Sequence, residues 1–265
     1  MKPPRFDYAA PATVAETLPL LGDESAVLAG GQSLVPLMNL RLAFPERVVD
    51  INGVQELDYL RAEDGPLRIG ALTRQATLER SELVRRRWPL LSKAVTHVGH
   101  PQIRTRGTVG GSVAHADPAA ELPAALVALG ARFALRSTGG TRVVEASEFF
   151  RGPLETARER DELLVEIEVP EQPDRAGAGF AEHARTHGDF ATAGAAAVVA
   201  PGGGSGIALL GAGPAPVRAL AAERALAEGA TPGEAAELAA ESVEGEHRRA
   251  LCTGLARRAI EEALA

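Results

Sequence analysis

Two glycine motifs constrain the fold and the function of this sequence more than any other feature. The first is AGGQSL at residues 29–34, which lies between the strand-like run AVLAG and the helix-like stretch that begins LVPLM. Glycine allows a backbone to approach a ligand closely and to adopt positive φ, and a helix N-terminus attracts anions. A Gly-Gly pair after a strand is more often a plain turn, but this setting makes a phosphate-binding loop the sharper hypothesis.

The second motif strengthens that hypothesis. TVGGS at residues 108–112 is followed by His115, Asp117 and Glu121. Two such loops facing each other would clamp a pyrophosphate from both sides, and the acidic side chains would reach sugar hydroxyls, as acids do in dinucleotide sites. The pair of motifs therefore predicts a dinucleotide rather than a mononucleotide.

Other nucleotide-binding motifs do not fit. No G-x-x-x-x-G-K-[ST] sequence is present, which excludes a Walker-type loop. LLGAGPAPVRAL begins like a Rossmann fingerprint, but Pro216 stands in the place of the third glycine. Gly211 and Gly213 are therefore interpreted as the end of a strand.

Periodicity and turn signals predict a mixed α and β organisation. Helices are predicted at residues 12–21 and 77–98, the latter broken near Pro89. Strands are predicted at residues 26–30, 46–51, 67–71 and 132–137, with a turn at residues 62–66. Residues 99–123 show little regular pattern and are predicted to be a long, ligand-binding loop before a helix at residues 124–129.

A change of composition divides the chain. EQPDRAGAG at residues 171–179 is interpreted as a linker, and a domain boundary is placed near Pro173. Beyond it, ATAGAAAVVA and IALLGAG, joined by the hairpin signal PGGGSG, predict adjacent antiparallel strands. Two or three Ala-rich helices are predicted to follow over residues 217–265.

Composition excludes several classes of function. A net charge of −7 argues against a nucleic-acid-binding surface. The single cysteine, Cys252, cannot by itself hold a cysteine-ligated iron–sulfur cluster, and its place in a helical pattern favours a role in the core. With no signal sequence and no apolar run long enough to span a bilayer, we expect a cytoplasmic protein without a transmembrane segment. His97 and His100 have a metal-like spacing but no evident third ligand, so we predict no metal site.

Several segments together resemble a known family. AGGQSLVPLMNLRLAFPERVVDIN, LRIGALTRQATLERS, QIRTRGTVGGSVAHADPAAELPAAL, LLVEIEVP and GAGPAPVRAL are similar to the FAD-binding medium subunits of molybdenum hydroxylases, the carbon monoxide dehydrogenase and xanthine dehydrogenase group. The resemblance covers nearly the whole chain in order.

The resemblance implies an α+β protein. It would have a two-subdomain FAD-binding domain of the vanillyl-alcohol-oxidase (PCMH) type over residues 1–173 and a small C-terminal domain with an antiparallel sheet and helices over residues 174–265. It places residues 185–189 near the open face of the flavin, and puts Glu121 where many relatives have Asp. The implied cofactor-binding residues are Leu28, Ala29, Gly30, Gly31, Gln32, Ser33, Leu34, Thr108, Gly110, Gly111, Ser112, His115, Asp117, Glu121, Leu163 and Leu164.

The implied function is electron transfer. Such a subunit carries FAD, takes electrons from an iron–sulfur small subunit and passes them to a terminal acceptor. The resemblance implies a heterotrimer with a molybdenum-cofactor large subunit, and a dimer of trimers as the larger assembly. Because the flavin performs the chemistry, no catalytic side chains are expected. A free-standing FAD-dependent oxidase or reductase and a non-enzymatic nucleotide-binding or assembly protein remain alternatives.

Overall fold

A computed structural model describes residues 2–62, 65–173, 175–186, 188–200 and 204–265. The strands are β1 (Asp7–Ala9), β2 (Ser25–Leu28), β3 (Arg47–Asp50), β4 (Leu60–Arg61), β5 (Leu67–Gly70), β6 (Arg132–Ser137), β7 (Gly140–Glu145), β8 (Phe150–Gly152), β9 (Glu155–Thr156), β10 (Leu163–Val169), β11 (Gly177–His183), β12 (Ala193–Val199), β13 (Gly206–Leu210) and β14 (Val217–Arg218). The helices are α1 (Val14–Thr17), α2 (Leu34–Asn39), α3 (Gln75–Arg80), α4 (Glu82–Arg87), α5 (Pro89–His97), α6 (Pro101–Arg106), α7 (Val109–His115), α8 (Glu121–Ala128), α9 (Ala146–Phe149), α10 (Leu220–Ala227), α11 (Pro232–Ala239) and α12 (Glu246–Leu264).

The N-terminal part forms a small parallel sheet in the order β1-β3-β2. Its apolar side chains, among them Val49 and Ile51, share a core with Val14 and Leu18 from the first helical segment and with Leu163 of β10. The predicted strands at residues 26–30 and 46–51 are confirmed as β2 and β3. β2 ends at Leu28, so it delivers the first glycine motif to the edge of this sheet.

A second sheet is antiparallel, in the order β4-β5-β10-β6-β7. Its inward side chains, such as Ile69, Phe133 and Ile167, are fully buried, and the predicted strands at residues 67–71 and 132–137 are confirmed. The turn predicted at residues 62–66 includes residues 63 and 64, which lie outside the described part of the chain.

The predicted helix at residues 77–98 is three helices, α3 to α5. The break near Pro89 is confirmed, because α5 begins there after Trp88, whose buried indole donates to the Pro170 carbonyl at 2.8 Å. A second break at Ser81 was not predicted. Its side chain caps α4 by accepting from the Val84 N–H, so the hydroxyl starts a new helix where the apolar periodicity runs on.

The prediction of a long loop over residues 99–123 is wrong. The segment forms α6 and α7, and α8 begins at Glu121 rather than at residue 124. Both α6 and α7 are shorter than two full helical turns, so neither repeats the apolar spacing from which a helix is recognised. The glycines in α7 also favour the prediction of a loop. The Thr108 side chain nevertheless caps this helix by accepting from the Gly111 N–H.

The third sheet has the antiparallel order β11-β12-β13-β14, which confirms that the two predicted C-terminal strands are neighbours. Residues 201–203 of the predicted hairpin turn lie outside the described part. In β12, Ala196 and Val198 belong to the same core as α5 and α8, whereas Ala195 and Ala197 belong to a core with α10, α11 and α12. The sheet is thus buried on both faces, which explains its apolar sequence.

The linker prediction is wrong from Gly177 onward, because β11 begins there and pairs with β12 along its length. A β-carbon built on Gly177 would lie 1.8 Å from the Ala263 carbonyl oxygen, and one built on Gly179 would lie 1.9 Å from that of Ala259. These glycines therefore allow α12 to pack directly on the strand. No helix in the described ranges is long and apolar enough to cross a membrane.

Candidate functional site

A cavity of about 570 Å³ opens between the first and second sheets, a size typical of ligand pockets. It brings together segments that are far apart in sequence, including both glycine motifs, the start of β10 and residues 188–190. Of the residues predicted to bind the cofactor, those that line the cavity are Ala29, Gly30, Gly31, Gln32, Ser33, Leu34, Thr108, Gly110, Gly111, Ser112, His115, Asp117, Glu121, Leu163 and Leu164. Leu28 does not line it; its Cδ1 lies 3.3 Å from the position of a β-carbon on Gly31, so it packs beneath the motif.

The first glycine motif offers backbone hydrogen-bond donors to the cavity. Gly31 has a φ of +72°, in the left-handed region that favours glycine. Within the described residues, the backbone N–H groups of Gly31, Gln32, Ser33 and Leu34 donate to no acceptor. Ser33 stands at the N-cap of α2 but makes no capping bond, so its hydroxyl remains available. Consecutive free N–H groups at a cavity wall are the donor set that a phosphate requires.

The second glycine motif contributes in a different way from the symmetrical clamp predicted. Its N–H groups are already used: Gly110 donates to the Ala71 carbonyl at 3.0 Å, and Gly111 donates to the Thr108 hydroxyl at 3.0 Å. A β-carbon on Gly110 would lie 2.6 Å from both the β-carbon and the carbonyl oxygen of Ala71. Gly110 thus allows close packing of α7 against the end of β5, whereas a β-carbon on Gly111 would lie 2.6 Å from the Thr108 hydroxyl that caps the helix. The polar groups left for a ligand are side chains, those of Ser112 and His115.

The two motifs also touch each other. A β-carbon on Gly30 would lie 2.3 Å from the Arg106 carbonyl oxygen and 2.8 Å from the Cα of Gly107. A β-carbon on Gly111 would lie 3.8 Å from that of Ala29. The cradle is therefore narrow, with free N–H donors on one wall and a close-packed helix on the other. The residues present fit a dinucleotide with a pyrophosphate, which is the form of FAD.

Ala116 orients the polar side chains that follow α7. This alanine has a φ of +53°, an uncommon conformation for a residue other than glycine, and it ends the helix between His115 and Asp117. Burial lowers the pKa of the His115 imidazole, so the ring is neutral near pH 7 and offers one donor and one acceptor. One Asp117 oxygen accepts from the Ala119 N–H at 2.8 Å.

Glu121 lies at the cavity and is only 7% exposed. Burial raises the pKa of its carboxyl to about 7, and the negative charges of Glu182 and Asp117 add to this, while a hydrogen bond from its own backbone N–H and the nearby His97 lower the pKa. His97 itself pairs with Glu182, its Nδ1 lying 3.0 Å from a carboxylate oxygen. A Glu121 carboxyl that is partly protonated at neutral pH can donate to a ligand oxygen as well as accept from a hydroxyl.

Replacing Glu121 with glutamine is expected to change the pH dependence of stability. Between an ordinary carboxyl pKa of 4.5 and the folded value of about 7, the folded wild type binds more protons than the unfolded chain, so its free energy of unfolding falls as pH rises through this window. The amide does not titrate, and at pH 8 we expect Glu121→Gln to be the more stable by about 2 to 3 kcal/mol, with little difference at pH 5. Urea unfolding across this range measures the effect. If the exposed Glu237→Gln variant showed the same gain in the free energy of unfolding between pH 5 and pH 8, the effect could not be assigned to the buried Glu121 carboxyl.

Leu163 and Leu164 open β10 and are both 3% exposed. Consecutive residues of a strand point to opposite faces, and accordingly Leu163 joins the core of the first sheet while Leu164 joins that of the second. Their place at this junction brings both to the cavity, where they add apolar surface.

Sequence reasoning missed a charged part of the wall formed by Arg158, Arg160 and Glu162. The Arg158 guanidinium donates to the carbonyls of Glu159 and Glu162, and Arg142 pairs with the Glu162 carboxylate at 2.6 Å. In the sequence these residues form a mixed run of charges, RERDE, which is typical of a solvated surface and gave no signal of a site.

The segment predicted to lie near the flavin is described only in part. His187 lies outside the described residues, while Gly188, Asp189 and Phe190 line the cavity. Asp189 accepts from the Phe190 N–H at 2.9 Å, and Phe190 is 71% exposed. In the described ranges no group of three His, Cys, Asp or Glu side chains forms a metal-like cluster.

The chain matches, over residues 4–172, a protein family described as the FAD binding domain in molybdopterin dehydrogenase. It is 45% identical over 203 residues to caffeine dehydrogenase subunit beta of Pseudomonas sp. strain CBB1, which covers 75% of this chain and 69% of that protein. It is 43% identical over 206 residues to the carbon monoxide dehydrogenase medium chain of Hydrogenophaga pseudoflava, which covers 77% of this chain and 72% of the other. Among solved structures, a chain of the H. pseudoflava carbon monoxide dehydrogenase lacking the Mo-pyranopterin moiety of its cofactor superposes with a TM-score of 0.95 at 39% identity, covering 100% of this chain and 99% of that one.

Proposed function

The chain belongs to the family of FAD binding domains in molybdopterin dehydrogenases, and we propose that it is the FAD-carrying electron-transfer subunit of a molybdenum hydroxylase complex. In this role it takes electrons from an iron–sulfur subunit and passes them to a terminal acceptor. The observation that carries the proposal is the cavity between the two glycine motifs, with consecutive free N–H donors on one wall. FAD, when bound, supplies the redox chemistry.

The protein's own residues bind and orient. The N–H groups of residues 31–34 and the Ser33 hydroxyl hold the pyrophosphate, since these groups are at the cavity and donate to no acceptor in the described residues. Ser112 and Glu121 serve the sugar hydroxyls from the opposite wall, and Leu163 with Leu164 provides apolar surface for a ring. This division of roles assigns the charged and polar parts of the cofactor to the polar parts of the cavity.

The fold supports a finer assignment. We propose the two-subdomain FAD-binding architecture of the vanillyl-alcohol-oxidase type, with the parallel sheet and the five-stranded sheet as its two parts and the cavity between them. The boundary with the C-terminal domain is proposed at residue 173, four residues before β11 begins. Because β11 to β13 bury one face against α5 and α8, the two domains share a core rather than hanging on a free linker.

The relatives carry the names of unlike substrates, caffeine in one case and carbon monoxide in the other. We therefore propose that substrate choice resides in a molybdenum-cofactor large subunit and that this chain binds that subunit together with an iron–sulfur small subunit. The chain has one cysteine, Cys252, and it is buried in α12, so any iron–sulfur cluster must belong to a partner. A cytoplasmic location is proposed for the assembly.

Purification from the native host without denaturation tests the proposal. We expect a flavin absorption spectrum, release of FAD on denaturation, and co-purification of iron–sulfur and molybdenum chains. FAD on this chain alone would favour a free-standing flavoenzyme. A colourless protein without flavin would favour a nucleotide-binding or assembly role and would overturn the electron-transfer proposal.

A further inference from the structure

A polar network behind the cavity joins the two glycine motifs. We propose that Asn52 and Arg74 are positioning residues that set the separation of these motifs and thereby the rate at which the cofactor dissociates. The inference rests on the proposed FAD site. Neither side chain lines the cavity, so each acts through the backbone that it holds.

Asn52 fixes the first motif. It follows β3, where its own N–H donates to the Asp50 carboxylate at 2.9 Å, and its side-chain amide donates to the Ala29 carbonyl at 2.7 Å. Ala29 directly precedes Gly30, so this bond fixes the carbonyl orientation at the first residue of the motif. Because the Ala29 carbonyl is fixed, the orientation of the peptide groups of residues 30–34 is also restricted.

Arg74 continues the network to the second motif. One guanidinium nitrogen donates to the Asn52 side-chain oxygen at 2.8 Å, and the other donates to the Arg106 carbonyl at 2.6 Å. Arg106 ends α6, two residues before Thr108 caps α7. A planar guanidinium with a fixed fork can hold two acceptors at a set spacing, which the flexible ammonium of lysine cannot do.

The Arg106 carbonyl is the point at which the motifs meet. It is held by Arg74 on one side and abuts Gly30 on the other, since a β-carbon on Gly30 would lie 2.3 Å from its oxygen. Asn52 follows a strand of the first sheet, whereas Arg74 follows a strand of the second. The network is therefore a connection between the two sheets that form the cavity, and losing it is expected to let the cavity widen.

Arg74→Met tests the inference in the protein purified with its co-purifying subunits. The rate of FAD release, followed by the recovery of flavin fluorescence, is expected to rise about tenfold, corresponding to one or two hydrogen bonds. The melting temperature of the flavin-free preparation should stay at the wild-type value, because both bonds are exposed and outside the core. Arg85→Met, which removes an exposed arginine of α4 paired with Glu82, is the matched control and should release FAD at the wild-type rate.

Three further variants separate positioning from charge and from general damage. Asn52→Ala should raise the release rate, and the double variant should add little to Arg74→Met, because both changes break one network. Arg74→Lys should not restore the wild-type rate. The inference would be overturned by a wild-type release rate in Arg74→Met or by a wild-type release rate in Arg74→Lys. A lower melting temperature of flavin-free Arg74→Met than of the flavin-free wild type would overturn it as well. Absence of FAD from the wild type itself would instead count against the proposed function.

Discussion

Replacing Gly31 with valine is expected to abolish retention of FAD while the chain still folds. Gly31 has a φ of +72°, and a β-carbon there would lie 3.2 Å from a methyl of Val35 and 3.3 Å from one of Leu28. A side chain at left-handed φ costs about 1–2 kcal/mol, and branching at the β-carbon adds to that cost. The backbone is therefore expected to leave this conformation and to turn its N–H groups away from the cavity.

The loss of affinity follows from those donors. Hydrogen bonds to charged groups contribute about 1.5–3 kcal/mol each, so losing two of them weakens binding on the order of a hundredfold or more. The ratio of flavin to protein absorbance after purification measures retention, and circular dichroism reports the fold. We expect a colourless protein with the wild-type spectrum in the far ultraviolet.

Gly229→Val is the matched control for this prediction. Gly229 also has a positive φ, +94°, but it lies exposed after α10, away from the cavity, and a β-carbon there meets no atom of the described residues within 4 Å. Valine at this position therefore has the same kind of backbone strain as valine at Gly31, but it lies outside the cavity. Retained flavin in Gly31→Val, or equal loss of flavin in Gly229→Val, would show that the first motif does not hold the pyrophosphate.

The first glycine motif could be interpreted from sequence because its signal is local. Strand, Gly-Gly, serine and helix follow one another within a few residues, and the free N–H groups of residues 31–34 result from that local arrangement. The second motif looks similar in sequence, yet the N–H groups of Gly110 and Gly111 are bonded to Ala71 and Thr108. Ala71 is distant from Gly110 in sequence, and the spacing of residues in the second motif does not predict their contact.

The burial of Glu121 illustrates the same limit. A glutamate at the start of a helix normally favours exposure and a stabilising interaction with the helix dipole. Here α8 is buried over its length between sheets, so the carboxyl is enclosed and its pKa rises to about 7. The apolar sequence of α8 predicts a buried helix, but which neighbour surrounds its first residue is a matter of tertiary packing.

The glycines of residues 171–179 show that one composition can serve opposite purposes. Gly and Pro in a polar stretch usually mark a linker, and residues 171–176 do precede the first strand of the C-terminal part. Gly177 and Gly179, however, have the spacing of one face of a strand, and Ala259 and Ala263 have the spacing of one face of a helix. Small residues at the repeat of one strand face and at the repeat of one helix face predict that β11 and α12 pack closely. The sequence therefore contained the information for this contact.

Replacing Gly179 with valine is accordingly expected to be the most destabilising substitution considered. A β-carbon would lie 1.9 Å from the Ala259 carbonyl oxygen, 2.8 Å from its carbonyl carbon and 3.0 Å from the β-carbon of Glu262. Helix backbone cannot move locally, so α12 must shift away from β11 and open a core that includes Ile260. Overpacking usually costs 1–3 kcal/mol, and a clash with backbone exceeds that range, so we expect a loss of about 4 kcal/mol in the free energy of unfolding.

Denaturant unfolding measures this loss, with Gly254→Ala as the control. Gly254 lies within α12 itself, where a β-carbon meets nothing within 4 Å in the described part of the chain. Replacing a glycine in a helix interior is expected to stabilise the protein by up to about 1 kcal/mol. The two substitutions thus act on the same helix with opposite signs. A Gly179→Val variant as stable as the wild type would mean that α12 does not pack on β11. Because the opposite face of that sheet packs on α5 and α8, the sheet would then no longer connect the C-terminal helices to the FAD-binding domain.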